Sequence, residues 1–360
     1  MAEDLGSRAA GLLVDQAWAA LDGGRYPEAV SAAGRAVQVA RHLDDLVLLV
    51  RALAAGGSAL RMSGDHAGAL GRFTEILGLA HDPATGGRLD DSTAGEAVAR
   101  AHWEWVDCAR YVTGISVRDL LGALDAADRW LIATGHPHWR AAVLSERASI
   151  YRQLGEYDTA VGYAEEALAV KLQHPGVPGY TLGAYRFELG DILRDAGRAG
   201  EGAPHYQAIL ADPGSSQVER SVAHQGLARC ALAVEDLVQA RHEARLAVQL
   251  AESLGDEVLC TSLEALSEAC RADGDLAAAW QVATRHLEAA GRIGGHYRPY
   301  FATWVAADIA LDRGDHAAAQ ELVADLDEYA RAMDAATGTA IYTTETARRH
   351  QRLTELGTRR

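Results

Sequence analysis

Residues 144–167 read LSERASIYRQLGEYDTAVGYAEEA, and this stretch decides the fold. Leu144, Ala148 and Tyr151 precede Gly155, while Ala160, Ala164 and Ala167 follow it, with steps of three or four residues on each side. Small and apolar side chains at that spacing share one face of an α-helix. A glycine between two such stripes can take the left-handed conformation that ends one helix, and a second helix starts just beyond it. The stretch therefore reads as a helical hairpin with two inward stripes.

The same phrase recurs along the chain. It appears as Gly24-Arg25-Tyr26 with Ala29 and Ala36, Gly64-Asp65-His66 with Ala69 and Phe73, and Gly197-Arg198-Ala199 with Tyr206. It continues as Glu235-Asp236-Leu237 with Ala240 and Ala247, Gly274-Asp275-Leu276 with Ala279, and Gly314-Asp315-His316 with Ala319, and a degenerate copy lies near Gly114. Successive turns at positions 24, 64, 114, 155, 197, 235, 274 and 314 are separated by 40, 50, 41, 42, 38, 39 and 40 residues. A period in this range marks a solenoid or array. Each unit of an array buries its apolar face only against its neighbours, so a chain of 360 residues without a linker-like stretch needs no division into domains.

The expectation is one solenoid domain over residues 1–360 with repeats at about 10–42, 46–80, 95–134, 139–173, 180–211, 217–254, 257–291 and 298–334. A capping helix is expected at 340–356, with Ile341, Ala347 and Leu353 facing inward. Pro27 suits the first turn of a helix, whereas Pro204 falls deeper and predicts a late start near Gly202. The longest connection, about residues 81–93 with Gly86, Gly87, Asp90 and Asp91, is the candidate mobile loop.

Composition narrows the function. Hydrophobic residues form 49% of the chain but aromatics only 6%, so alanine carries much of the core and helices can approach closely. A formal net charge of −16 repels phosphate backbones and argues against nucleic acid. No apolar run reaches a membrane span, and Met1-Ala2-Glu3-Asp4-Leu5 lacks the pattern of a secretory leader, so a cytoplasmic protein without a membrane partner is expected. Cys108, Cys230, Cys260 and Cys270 form no C-x-x-C pair and read as buried free thiols. The arginines at 348, 349, 352, 359 and 360 read as a solvated helix end, favourable at the negative end of the dipole.

Helix, glycine, a short turn with Tyr or another apolar residue, then Ala and an aromatic or Ala: this phrase resembles the tetratricopeptide repeat family. The match runs through Gly24/Tyr26/Ala29/Ala36, Gly57/Gly64/Ala69/Phe73, Ala148/Gly155/Tyr157/Ala160/Ala167, Leu189/Gly190/Gly197/Tyr206 and Trp304/Ala307/Gly314/Ala319, over roughly residues 10–330. The family's shorter form repeats about every 34 residues. The spacing near 40 resembles instead the long-helix variety of bacterial regulators and signalling-peptide receptors. The resemblance implies an all-α, right-handed superhelical solenoid of antiparallel helix pairs, about eight repeats plus a cap. The first helix of each pair would line a concave groove that holds a peptide or a helix of another protein. Groove positions carried over to this chain are Trp18, Arg51, Arg61, Glu104, Cys108, Tyr111, Glu146, Arg152, Asp191, Arg194, Arg229, Glu264, Glu268, Arg271 and Asp308.

Family members that capture a C-terminal carboxylate with paired Asn and Lys set a useful contrast. This chain has no Asn, and its one lysine, Lys171, lies on a second helix, so a clamp of that kind cannot form. Arg152, Arg194 and Arg229 are candidates for an acidic peptide, because a guanidinium forks onto a carboxylate; the competing reading pairs them with acids such as Asp191 and Glu268 across the groove. In the third unit, Trp103 takes a core position while Trp105 and Tyr111 are candidate partner anchors. The segment His296-Tyr297-Arg298-Pro299-Tyr300 with Trp304 is a second candidate.

Catalytic and metal patterns fail on inspection. Glu166-Ala167-Leu168-Ala169-Val170 upstream of Lys171 cannot be a phosphate loop, and Leu246 stands where a zincin helix begun by His242-Glu243 needs its second histidine. His136 and His138 form the one close histidine pair, without an evident third ligand. No metal and no cofactor are expected. The leading reading is a non-catalytic scaffold or receptor for a peptide or protein segment. The alternatives are a signalling-peptide sensor in a bacterial regulatory system, and an enzyme whose pocket is enclosed by the helical array with Asp191, Glu264, Glu268 or Asp308 as base.

Overall fold

The computed structural model describes residues 2–89, 92–109, 115–133, 135, 137–176, 180–337 and 341–358. Among them are seventeen α-helices and no strand. The first eight are α1 (Ala2–Asp22), α2 (Tyr26–His42), α3 (Leu46–Met62), α4 (His66–His81), α5 (Ser92–Ala109), α6 (Val117–Ala133), α7 (Arg140–Gln153) and α8 (Tyr157–Gln173). They are followed by α9 (Leu182–Asp195), α10 (Ala199–Ala211), α11 (Gln217–Ala233), α12 (Leu237–Ala251), α13 (Asp256–Ala272), α14 (Leu276–Ile293), α15 (Tyr297–Asp312), α16 (His316–Thr337) and α17 (Ile341–Thr358). Among the described residues the fold is all-α, a series of helices most of which pack on their neighbours in sequence.

The chain forms two compact units, Met1–Leu154 with Glu166–Gly179, and Gly155–Glu165 with Tyr180–Arg360. In the first, consecutive helices α1 to α7 pack in turn, and the odd-numbered helices also pack directly on one another, α1 on α3, α3 on α5 and α5 on α7. The second repeats this rule: α9, α11, α13, α15 and α17 stack side by side while the even-numbered helices fill the outer row. Each unit thus has an inner layer of odd helices.

The turns explain the period. At Gly64, Gly274 and Gly314 φ is +86°, +75° and +69°, and the next residue's N–H reaches back to the carbonyl five residues before it, as in Asp65 N to Leu60 O at 2.9 Å. That next residue is an aspartate, and its carboxylate accepts the N–H three residues on: Asp65 from Gly68, Asp275 from Ala278, Asp315 from Ala318. Gly-Asp therefore closes one helix and caps the next. Glu235 holds the same left-handed place without glycine, at φ +59°. Replacing Glu235 by glycine is expected to raise stability by about 0.5–1 kcal/mol, and Gly274→Ala to lower it by about 1 kcal/mol. Urea unfolding followed by circular dichroism checks both.

One expectation needs correction. α10 begins at Ala199 rather than near Gly202, and Pro204 lies inside it. Proline so near a helix start forfeits one hydrogen bond, to the carbonyl of Gly200, and the helix tolerates that loss. The connection after α4, the candidate mobile loop, has local structure of its own. Within it a 3-10 turn covers Gly86–Leu89, Leu89 is buried against the α3–α5 core, and the Thr85 hydroxyl donates to the Leu79 carbonyl at 2.6 Å. Residues 90 and 91 lie outside the described residues.

All four cysteines are free and buried. Burial pushes the thiols of Cys230 and Cys260 up to about 11, which keeps them protonated and unreactive. No helix of the described residues is long and apolar enough to cross a membrane.

Candidate functional site

In both units the inner layer carries charge where its odd helices meet. In the second unit the series starts on α9, where Arg194 donates to Asp191 at 2.7 Å and to Asp195 at 2.8 Å, and the buried Tyr206 hydroxyl also donates to Asp191 at 2.7 Å. Burial and the adjacent Asp191 push the Tyr206 phenol far above its usual range, so it is a fixed donor. On α11, Arg229 donates to Glu268 at 3.1 Å and to Glu264 at 3.3 Å, both on α13. Burial disfavours the Arg229 charge, but Glu268 and Glu264 outweigh it and hold its pKa above the ordinary arginine range. Burial pushes the Glu264 carboxyl up despite the opposing Arg229.

Next, Arg271 of α13 bonds Asp312 and stands 3.7 Å from Asp308, both on α15. From the other side α17 supplies Arg349 to Asp308 at 2.9 Å, and Arg352 to Asp308 at 3.0 Å and to Asp312 at 2.7 Å. The Arg349 guanidinium also lies 3.8 Å over the Trp304 ring. The C-terminal arginines are thus not all a solvated helix end: Arg349 is buried, and it and Arg352 dock α17 onto α15.

The first unit has its own network. Glu104 on α5 is fully buried, yet it accepts from Ser58 of α3 at 2.6 Å and from Arg100 at 3.0 Å, while Arg61 of α3 donates to Asp107 at 2.9 Å. These bonds satisfy a carboxylate that could not otherwise be buried as an ion. Beside the network is a cavity of about 260 Å³, lined by Trp18 of α1, Arg51 and Ala54 of α3, Glu96, Ala97 and Arg100 of α5, and Trp139 just before α7. Arg100 lies between the two indoles, 4.9 Å from the Trp18 ring and 5.6 Å from that of Trp139. Among the described residues its one hydrogen bond to protein goes to Glu104, and Arg51 makes only a 3.8 Å approach to Asp15.

The structure places the residues singled out from sequence as follows. Asp191, Arg194, Arg229 and Glu268 belong to the inner layer of the second unit, the arginines paired with neighbouring acids. Arg152 lies at the end of α7, half-buried. Trp105 is turned toward α4, where its indole N–H donates to Thr74 at 2.9 Å, and its ring packs against the core. Trp304 is covered by Arg349, and Tyr111 lies outside the described residues.

Sequence reasoning missed Arg100, Trp139, Arg349 and Arg352. A signal for three of them was available. Inner-layer bonds join residues one repeat apart: 46 for Ser58 to Glu104, 39 for Arg229 to Glu268, 41 for Arg271 to Asp312 and for Arg349 to Asp308. Opposite charges on odd helices at one period would have pointed to Arg349 and Arg352, and their acids, and to the α3–α5 seam where Arg100 sits. Trp139 gives no such signal, because it precedes its helix.

The model of the tetratricopeptide repeat family matches residues 144–176, which hold most of α7, the Gly155 turn and α8. A sequence search of curated proteins gives no match. Among solved structures, the apo form of RapI is similar with a TM-score of 0.58 at 10% identity, covering 98% of this chain and 99% of that one. The apo form of the quorum sensor NprR from B. thuringiensis gives 0.55 at 12%, covering 97% and 99%. A Rap protein complexed with competence and sporulation factor gives 0.56 at 12%, again covering 97% and 99%. Identities this low speak to fold. The chain has the fold of tetratricopeptide-type helical-repeat solenoids, and residues 144–176 match the family's sequence model.

Proposed function

We propose that the chain is a non-catalytic receptor or scaffold that takes a peptide or protein segment on the inner, odd-helix layer of its units. One observation carries this reading: where odd helices meet, the shared side chains are half-buried arginines, carboxylates and indoles rather than apolar residues alone. A purely structural layer gains more from apolar packing than from buried ion pairs, whereas polar recognition needs such groups held in place. Buried thiols and the lack of a membrane-crossing helix among the described residues fit a cytoplasmic setting.

The sensor form of this reading is favoured by the full-length likeness to the quorum sensor NprR and to the Rap protein solved with competence and sporulation factor. The enzyme reading has a single support, the raised Glu264 carboxyl, and that group is bonded to Arg229. Panning random displayed peptides on the purified chain is expected to converge on one shared motif. A radius of gyration that changes when the selected peptide binds marks the sensor; an unchanged one marks the scaffold. No convergence, together with turnover of a small molecule, would overturn the proposal.

A further inference from the structure

We propose that the cavity between Trp18 and Trp139 in the first unit is a carboxylate subsite; this rests on the peptide-binding reading and names the chemistry that one part of it recognises. The chain as a whole carries a formal charge of −16, so a cavity walled by two guanidinium groups stands out against it. The other arginines of the inner layer spend their donors on carboxylates of their own. Arg194 holds Asp191 and Asp195, Arg229 holds Glu264 and Glu268, and Arg349 and Arg352 hold Asp308 and Asp312.

Arg51 and Arg100 differ. Among the described residues Arg100 donates once to protein, from Nη1 to Glu104, although a guanidinium carries five N–H groups. Its plane is held by Trp18 and Trp139, so it presents a preorganised edge rather than a mobile chain. Arg51 has no hydrogen-bond acceptor among the described residues, only the 3.8 Å approach to the exposed Asp15. Two guanidinium groups with open donors, in one half-enclosed space of about 260 Å³ between indole walls, fit a carboxylate carried on a short apolar stem. The exposed Glu96 on the rim is the one acid among the lining residues and sets a charge that an incoming carboxylate must displace. Glu96 thereby tunes affinity.

A carboxylate reaches such a site either from a Glu or Asp side chain or from a peptide C-terminus. The test separates these sources on the full ¹⁵N-labelled chain, with three probes: N-acetylglutamate α-amide, N-acetylleucine, and the neutral N-acetylglutamine amide. Indole resonances assigned by Trp18→Phe and Trp139→Phe report binding. A saturable shift of the Trp18 or Trp139 indole by either acid, absent with the neutral amide, is expected; the tighter acid identifies the source. Arg51→Gln and Arg100→Gln should each weaken the acid at least tenfold, Glu96→Gln should tighten it about threefold, and Arg285→Gln on α14, at an exposed pair with Glu252, should leave it unchanged. Arg51 is a third exposed and bonds no core group, so its variant keeps the test valid if Arg100→Gln fails to fold. Equal response to acid and amide, or acid binding indifferent to Arg51→Gln, overturns the inference. Motif peptides that bind regardless of Arg51 would sink the subsite and spare the peptide reading. Acid probes that bind by the rules above, on a chain that selects no peptide, would do the reverse.

Discussion

Gly226→Ala is expected to destabilise the second unit by about 2 kcal/mol, although alanine improves the helical propensity of that position by about 1 kcal/mol. A Cβ at Gly226 would stand 2.2 Å from Cε1 of Tyr206 and 2.5 Å from Cδ1. The ring cannot retreat, because on its other side a Cβ at Gly190 would already be 2.7 Å from Cζ, and its hydroxyl is fixed on Asp191 at 2.7 Å. Tyr206 is fully buried, so α9 and α11 close on it as two glycine faces on a plate. Accommodating one methyl then means moving α11 bodily. Denaturant midpoints give the check, with a cycle on Tyr206→Leu. The double variant should lose less than the two single losses combined, since the shorter side chain makes room for the methyl. A neutral Gly226→Ala would show that the plate packing is wrong.

Asp308→Ala carries the larger loss, about 3 kcal/mol, and it is local. Three arginines converge on Asp308: Arg349 at 2.9 Å, Arg352 at 3.0 Å and Arg271 at 3.7 Å. Removing the carboxylate leaves the buried Arg349 with the Glu345 carbonyl and the Trp304 ring as its remaining contacts. A buried guanidinium without its counter-ion costs more than the pair gained, so α17 should come off before α15 unfolds. Hydrogen exchange reads this directly. Amides of α17 should exchange at least tenfold faster in the variant while those of α13 stay protected. Unchanged protection in α17 would mean that Leu353 and Tyr342, packed on α15 and α16, hold the helix without the arginines.

The fold was legible because its instructions are local. Gly64-Asp65 and Gly274-Asp275 each specify a left-handed stop and a side-chain cap within two residues, and the apolar stripes of Ala160, Ala164 and Ala167 follow from helical spacing alone. The site was less legible because its parts are distant. Arg349 looks like a solvated cation until Asp308, 41 residues earlier, is seen to lie across from it. Trp105 looks like a free aromatic until Thr74 is found at its indole N–H. Arg194 and Arg229 suit in sequence both an acidic peptide and nearby acids of the chain; the structure gives each a carboxylate. Composition cannot decide that choice, because it counts charges and not distances.

Bonds that span one repeat also make the order of the modules matter. Exchange the α11–α12 pair with the α13–α14 pair and every helix, cap and apolar stripe would survive. Glu264 and Glu268 would then lie beside Asp191, and the arginine that separates these acids would be gone from between them. Modules alike in backbone are therefore keyed by sign, each admitting some neighbours and repelling others. Shuffled arrays of this chain would fail at their seams.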